Sequence, residues 1–282
     1  MCEAEGLRLS VRVYVTGDRT TRFTLGVENL TEKEIDFFIS SYCNPFLLHD
    51  VFENGENRWF REVSVAAGEN LPDFVVRCNE SISRTRQVSN YGVLTRTLTL
   101  NGGAALKGHE ETTSRAAYVG GARSSLHHPR GVLAGTFREA PTVTTFTEVG
   151  ICGDILRLTM PAGASLRVDS AFAYRVHCEN GGAVEELRAL RPDPAAFDAD
   201  LAALIQAEEA KSGGLTMTFE DGKEDSLSAE VMNAFVEQLK KQVEFCATIK
   251  GYIQLSAGSL IGIRDVFQAL EGYMIWQPEA AR

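Results

Sequence analysis

The sequence predicts an antiparallel β-structure, a sandwich or a barrel, followed by an α-helical part. Three observations carry that expectation. Short segments of alternating apolar and polar residues recur through roughly the first 180 positions, the period of a half-buried strand. Glycine- and asparagine-rich turn signals separate them, with no helical pattern between. After Asn180-Gly181-Gly182 the apolar spacing changes to the three and four of an amphipathic helix.

Taken in order, Leu7 to Tyr14 reads L-R-L-S-V-R-V-Y, and Phe23 to Val27 repeats the alternation. Asp36 to Ser41 is a compact apolar strand. Phe74 to Arg77, Val93 to Leu100, Thr142 to Phe146, Asp154 to Met160 and Ser165 to Tyr174 continue the series. Thr16-Gly17-Asp18, Asn54-Gly55, Asn101-Gly102-Gly103 and Pro161-Ala162-Gly163 are the breaks. Pro192 to Lys211 reads as a helix, with Asp193 as cap and Pro194 in the first turn. Ser212-Gly213-Gly214 stops it. A short strand, Leu215 to Phe219, precedes a longer helix that begins near Ser226. There Val231, Phe235, Leu239, Val243 and Cys246 share one face. Gly251 ends that helix, and Ile263 to Trp276 forms another before Pro278.

The expected organisation is therefore a β-domain over 1–182, a helical linker with a short strand over 183–225, and the first helices of an α-domain over 226–282. Two helices cannot bury the core of an α-domain. The natural polypeptide is accordingly expected to be longer, or this chain to be a truncated gene product.

Of the 282 residues, 44% are hydrophobic and 23% charged, as in ordinary globular proteins. The net charge of −10, from 28 basic and 38 acidic residues, removes any general attraction for nucleic acid or anionic membrane. No apolar run approaches the roughly 20 residues that span a bilayer. Met-Cys-Glu-Ala-Glu-Gly has neither the basic nor the apolar region of a signal peptide. The six cysteines, Cys2, Cys43, Cys78, Cys152, Cys178 and Cys246, are scattered without a CxxC pair, and most lie in apolar stretches. A cytoplasmic, reduced protein without nucleic-acid or membrane partners is expected.

Two local motifs stand out within this organisation. One is Gln242-Val243-Glu244-Phe245-Cys246. The other is Gly262-Ile263-Arg264-Asp265-Val266-Phe267-Gln268-Ala269-Leu270-Glu271, with Trp276 and Pro278 after it. With the order of domains they resemble glycoside hydrolase family 94, the inverting glycoside phosphorylases, and within it the β-1,2-oligoglucan phosphorylase type. Softer likenesses lie in Glu80 to Arg84, Tyr91 to Arg96 and Tyr118 to Arg130. The resemblance implies a galactose mutarotase-like β-supersandwich, a helical linker and the start of an (α/α)6 barrel of the six-hairpin glycosidase kind. It implies phosphorolysis of a β-glucan oligosaccharide to a sugar 1-phosphate, with inorganic phosphate as co-substrate, no other cofactor, and a homodimeric intact enzyme. The family's catalytic acid matches no position of this chain, which implies that the chain is inactive alone. Ala269 stands where cellobiose-type members carry an acidic residue.

On their own chemistry, Arg264, Gln268 and Glu271 fall in one narrow polar stripe of an otherwise apolar helix, and Asp265 lies at the same end. Buried polar groups need partners, and sugar hydroxyls both accept from a guanidinium and donate to carboxylate or amide oxygens. Arg264, Asp265 and Gln268 are the candidate substrate-binding residues; no catalytic or metal-binding residue is assigned. An internal ion pair of Arg264 with Asp265 or Glu271 is the alternative. The Tyr118 to Arg130 loop offers Arg123, His127, His128 and Arg130 to an anion, or is a polar surface loop. Trp59 is a candidate for stacking on sugar, or for core packing. No nucleophile elbow, P-loop, dinucleotide fingerprint or zinc signature occurs. A different class of function, a stand-alone carbohydrate-binding or assembly module, stays open beside the phosphorylase.

Overall fold

The computed structural model describes residues 2–16, 20–45, 61–83, 86–120, 125–137, 150–178, 182–211 and 229–246, with Glu271, Met274 and Glu279 besides. Ten strands are found there: β1 (Cys2–Ala4), β2 (Leu7–Val15), β3 (Thr20–Asn29), β4 (Ile35–Cys43), β5 (Arg61–Ala66), β6 (Asp73–Ser83), β7 (Arg86–Asn101), β8 (Ala105–Thr112), β9 (Cys152–Met160) and β10 (Ser165–Cys178). They form a seven-stranded sheet in the order β1-β2-β3-β10-β7-β6-β5 and a three-stranded sheet in the order β4-β9-β8. Every pairing is antiparallel.

The alternation in the sequence explains how the sheets meet. In β10 and β7 the paired residues Leu166 and Leu100, Val168 and Leu98, and Phe172 and Leu94 share one face. In β4 and β9 the pairs Ile35 with Met160, Phe37 with Leu158, and Ile39 with Leu156 do the same. These two faces form one core, with Val27, Leu98, Leu156, Leu158, Met160 and Leu166 buried in it. A second cluster, Val63, Phe74, Val76 and Leu94, continues it towards β5. The molecule's β-part is thus a sandwich rather than a closed barrel. Each fully buried side chain contributes about 1.5–3 kcal/mol relative to exposure.

The smaller sheet does not cover all of the larger one. On β2, Leu7 and Leu9 pack on the core, but Val11, Val13 and Val15, on the same face, are 65%, 62% and 62% exposed.

Short helices cover the outer faces. Helix α1 (Arg115–Val119) and α2 (Arg130–Leu133) lie over the three-stranded sheet, where Tyr118, Val119, Val132 and Ile151 are buried with Tyr42 and Phe137 packed on them. Helix α3 (Ala183–Arg188) packs Leu187 against Val93 and Ala173 on the outer face of the larger sheet. Helix α4 (Pro194–Lys211) follows, and Asp193 caps it as expected: its carboxylate accepts from Ala195 N at 3.1 Å.

The chain divides into two compact units, Met1–Asp198 and Ala199–Arg282. The first unit therefore runs past position 182, where the sequence pattern changes, because Leu187 and Phe197 are 2% and 1% exposed and belong to the sandwich. In the second unit, α5 (Ala229–Cys246) has Val231, Phe235 and Leu239 one turn apart and all exposed. Among the described residues, no helix is long and apolar enough to cross a membrane.

Among the described residues the strands expected from alternation are present, several longer than the pattern indicated. Strands β5 and β8 lacked a clear signal, the latter because A-L-K-G-H-E-E-T carries a glycine and charges in its middle. Thr142 to Phe146, Leu215 to Phe219 and most of Ile263 to Trp276 lie outside the described residues.

Candidate functional site

Arg264, Asp265 and Gln268 lie outside the described residues, as do Trp59 and Arg123. The segment from Tyr118 to Arg130 is not one loop. Tyr118 and Val119 are the buried end of α1, which Ser114 caps through Ala117 N at 3.1 Å and Gly120 terminates at φ 82. His127 and His128 sit in an exposed turn closed by His128 N donating to Ser125 O at 3.1 Å, and Arg130 opens α2. The segment reads as polar, yet its hydrophobic members are what fix it to the sheet. Among the described residues, no group of three or more His, Cys, Asp or Glu side chains is arranged to hold a metal ion.

The structure brings together a different set of polar residues, inside the sandwich. Arg96 on β7 and Asp154 on β9 point from opposite sheets into the core and form an ion pair, each side chain 3% exposed. Arg96 also donates to Pro72 O at 2.9 Å from Nη2, and its guanidinium lies 5.1 Å above the Phe74 ring. Asp154 Oδ1 accepts from Ser41 N at 3.0 Å and from Ser41 Oγ. Burial pushes Arg96 down to about 10, which leaves it charged at neutral pH. Sequence reasoning missed this pair, although a signal exists: Arg96 occupies the inward phase of Leu94-x-Arg96-x-Leu98-x-Leu100, and Asp154 that of Asp154-x-Leu156-x-Leu158.

The pair closes one end of a cavity of about 170 Å³ between the sheets, walled by Phe23, Leu25, Ile39, Leu156 and Val168, with Ser170 beside Arg96 at its polar end. A cavity with such an end suits water or a small polar molecule. It is poorly suited to proton transfer, because the Asp154 carboxylate is already neutralised by Arg96 and engaged by Ser41. The chemistry of the pair is that of a clamp between two sheets.

A thiol cluster adjoins it. Cys43 and Cys152 face each other across β4 and β9, and Cys78 lies in the same cluster. Arg61, 5% exposed, is held by Pro45 O and by Asn44 Oδ1 at 2.6 Å. The hydrogen bond from Cys152 holds the Cys43 thiol below its ordinary value, and Arg61 adds to this against the effect of burial. Burial pushes Cys152 well above. Cys178, by burial, is also raised. Thiolates alkylate and thiols do not. Iodoacetamide labelling followed by peptide mass spectrometry is therefore expected to modify Cys43 from a lower pH than Cys178 and to spare Cys152 in the folded protein. Labelling of Cys152 ahead of Cys43 would contradict this arrangement.

No family model matches this chain, and no curated protein is significantly similar to it.

Proposed function

We propose that this chain carries the β-sandwich and early barrel helices of a cytoplasmic glycoside phosphorylase acting on β-glucan oligosaccharides, of the family 94 kind. The observation that supports this best is the order of its parts: an antiparallel sandwich, then α5 with Val231, Phe235 and Leu239 exposed along one face. An exposed apolar stripe of that length gains by burial against another apolar surface, such as the further helices of a barrel. On this reading the sandwich is a supersandwich of the galactose mutarotase type, and α5 belongs to an (α/α)6 barrel. Arg264, Asp265 and Gln268 then line the barrel mouth. The Arg264 fork donates to adjacent sugar hydroxyls, Asp265 accepts from them, and Gln268 does both. Inorganic phosphate attacks the anomeric carbon while a carboxylic acid protonates the leaving oxygen.

The test is phosphate-dependent release of glucose 1-phosphate from β-1,2-, β-1,3- and β-1,4-linked gluco-oligosaccharides by the native polypeptide. Arg264→Lys is expected to lower kcat/KM by about one to two orders of magnitude, since an ammonium cannot reproduce the fork. Its melting temperature should stay unchanged. A variant that melts lower while its folded fraction keeps normal kinetics would make Arg264 part of a structural ion pair. Turnover without phosphate, or none on any β-glucan, would overturn the phosphorylase reading.

A further inference from the structure

We propose that the open end of the three-stranded sheet binds a neutral polyhydroxylated ring, a pyranose unit of an oligosaccharide. The outward face of β4 and β9 places Asp36 beside Thr159 and Phe38 beside Arg157. A register shift between Leu106 and Gly108 on β8 brings Lys107 to the same groove. Further along, this face is covered by Tyr118 and Phe137, whereas here it is open: Glu34, Asp36, Phe38, Lys107, Arg157 and Thr159 border a groove of about 580 Å³. Phe38 is 41% exposed.

The charges decide the class of ligand. Glu34 and Asp36 line the groove together with Lys107 and Arg157, so it presents both signs of charge, and Arg157 is already paired with Glu110. An anion would meet two carboxylates and a cation two positive groups. A wholly apolar ligand would strip water from all four without replacing its hydrogen bonds. A pyranose fits each part. Its C–H face lies on an aromatic ring, its hydroxyls donate to carboxylates, and they accept from guanidinium and ammonium.

The polar groups are also held in place. Thr159 Oγ1 donates to Asp36 Oδ1, and among the described residues no donor reaches Oδ2. Arg157 Nη2 is fixed by the Glu110 carboxylate and by Gly135 O at 2.6 Å. Among the described residues its Nη1 has no acceptor. Gly108, paired with Arg157, places no side chain against Nη1, which a Cβ there would touch at 3.6 Å. Lys107 is exposed and forms no ion pair among the described residues. The groove stands on this chemistry; that its sugar is a β-glucan rests on the function proposed above.

Calorimetric titration of the 282-residue chain with sophorose, laminaribiose and cellobiose tests it. At least one is expected to bind, Phe38→Ala to weaken it about tenfold, the loss of one well-placed ring contact, and Asp36→Asn to weaken it less. Both side chains lie at the surface, so both variants should stay folded, with melting temperatures that fall by no more than a few degrees. Bound disaccharide should also slow acetylation of Lys107, read by peptide mass spectrometry. Binding that ignores Phe38→Ala and leaves Lys107 acetylation unchanged overturns the groove, as does no binding at about 10 mM, weaker than any useful affinity. Neither result touches the phosphorolysis assay, which reads Arg264. A failed phosphorolysis assay with an intact Phe38 effect would keep the groove and discard the phosphorylase.

Discussion

Asp154→Ala is expected to lower the unfolding free energy by about 3–5 kcal/mol, the cost of leaving one charge of a buried pair without its partner. Arg96 is 2% exposed and has its Nη1 against Asp154, so removal of the carboxylate leaves a guanidinium in the core. Ser41 N and Oγ lose their acceptor at the same time. For a domain of this size each kcal/mol moves the melting temperature by about 2–4 °C, so a fall of about 10 °C is expected. Urea unfolding should show it as a lower midpoint at constant slope. The double variant Arg96→Met/Asp154→Leu is expected to recover most of the loss, because a buried ion pair is often no better than apolar residues of similar volume. A single variant within about 1 kcal/mol of wild type would mean that the pair is solvated, since surface pairs are worth that little.

Phe197→Ala is expected to cost about 3–5 kcal/mol, in the range of large-to-small changes at fully buried aromatics. Phe197 is 1% exposed on the outer face of the larger sheet. Its ring meets Tyr14 edge-on at 5.0 Å, and the Arg22 and Arg167 guanidinium groups lie 5.8 and 6.0 Å from its centroid. Tyr14 Oη donates to its carbonyl at 2.9 Å. Around it, Asp169 accepts from Thr24 Oγ1 at 2.6 Å and pairs with Arg167, which also reaches Asp198 at 2.6 Å. Hydrogen exchange in the variant should rise first over 183–198, the stretch that joins the sandwich through this contact. A cost below about 1 kcal/mol, with exchange unchanged there, would detach that stretch from the sandwich unit.

Much of the β-part was legible in the sequence. Alternation in Leu7 to Tyr14 and Val93 to Leu100 found β2 and β7, because one face of each strand must be apolar to reach the core. Asp193-Pro194 marked the start of α4 because a carboxylate cap and a proline in the first turn are local chemistry. Strand β8 was not legible, since its neighbour β9 is nearly all buried and supplies the hydrophobicity that β8 lacks. The Tyr118 to Arg130 segment read as a loop for a similar reason: its two short helices exist through the contacts of Tyr118, Val119 and Val132 with the sheet, not through any periodicity of their own.

What the sequence alone determined is what a short stretch of chain decides by itself: which residues alternate, where turns fall and where the pattern becomes helical, along with the net charge of −10. The pairing of strands was left to tertiary structure. Strand β10 lies between β3 and β7, and β9 between β4 and β8, partners distant in sequence and chosen by how the apolar faces close over one another. Tertiary structure likewise set Arg96 against Asp154 across the two sheets, and Cys43 beside Cys152 and Phe38 beside Arg157 within one of them. A charge on an inward phase announces that it needs a partner, because burial without one is costly. It does not say which strand will bring that partner, because register and sheet order are properties of the whole core.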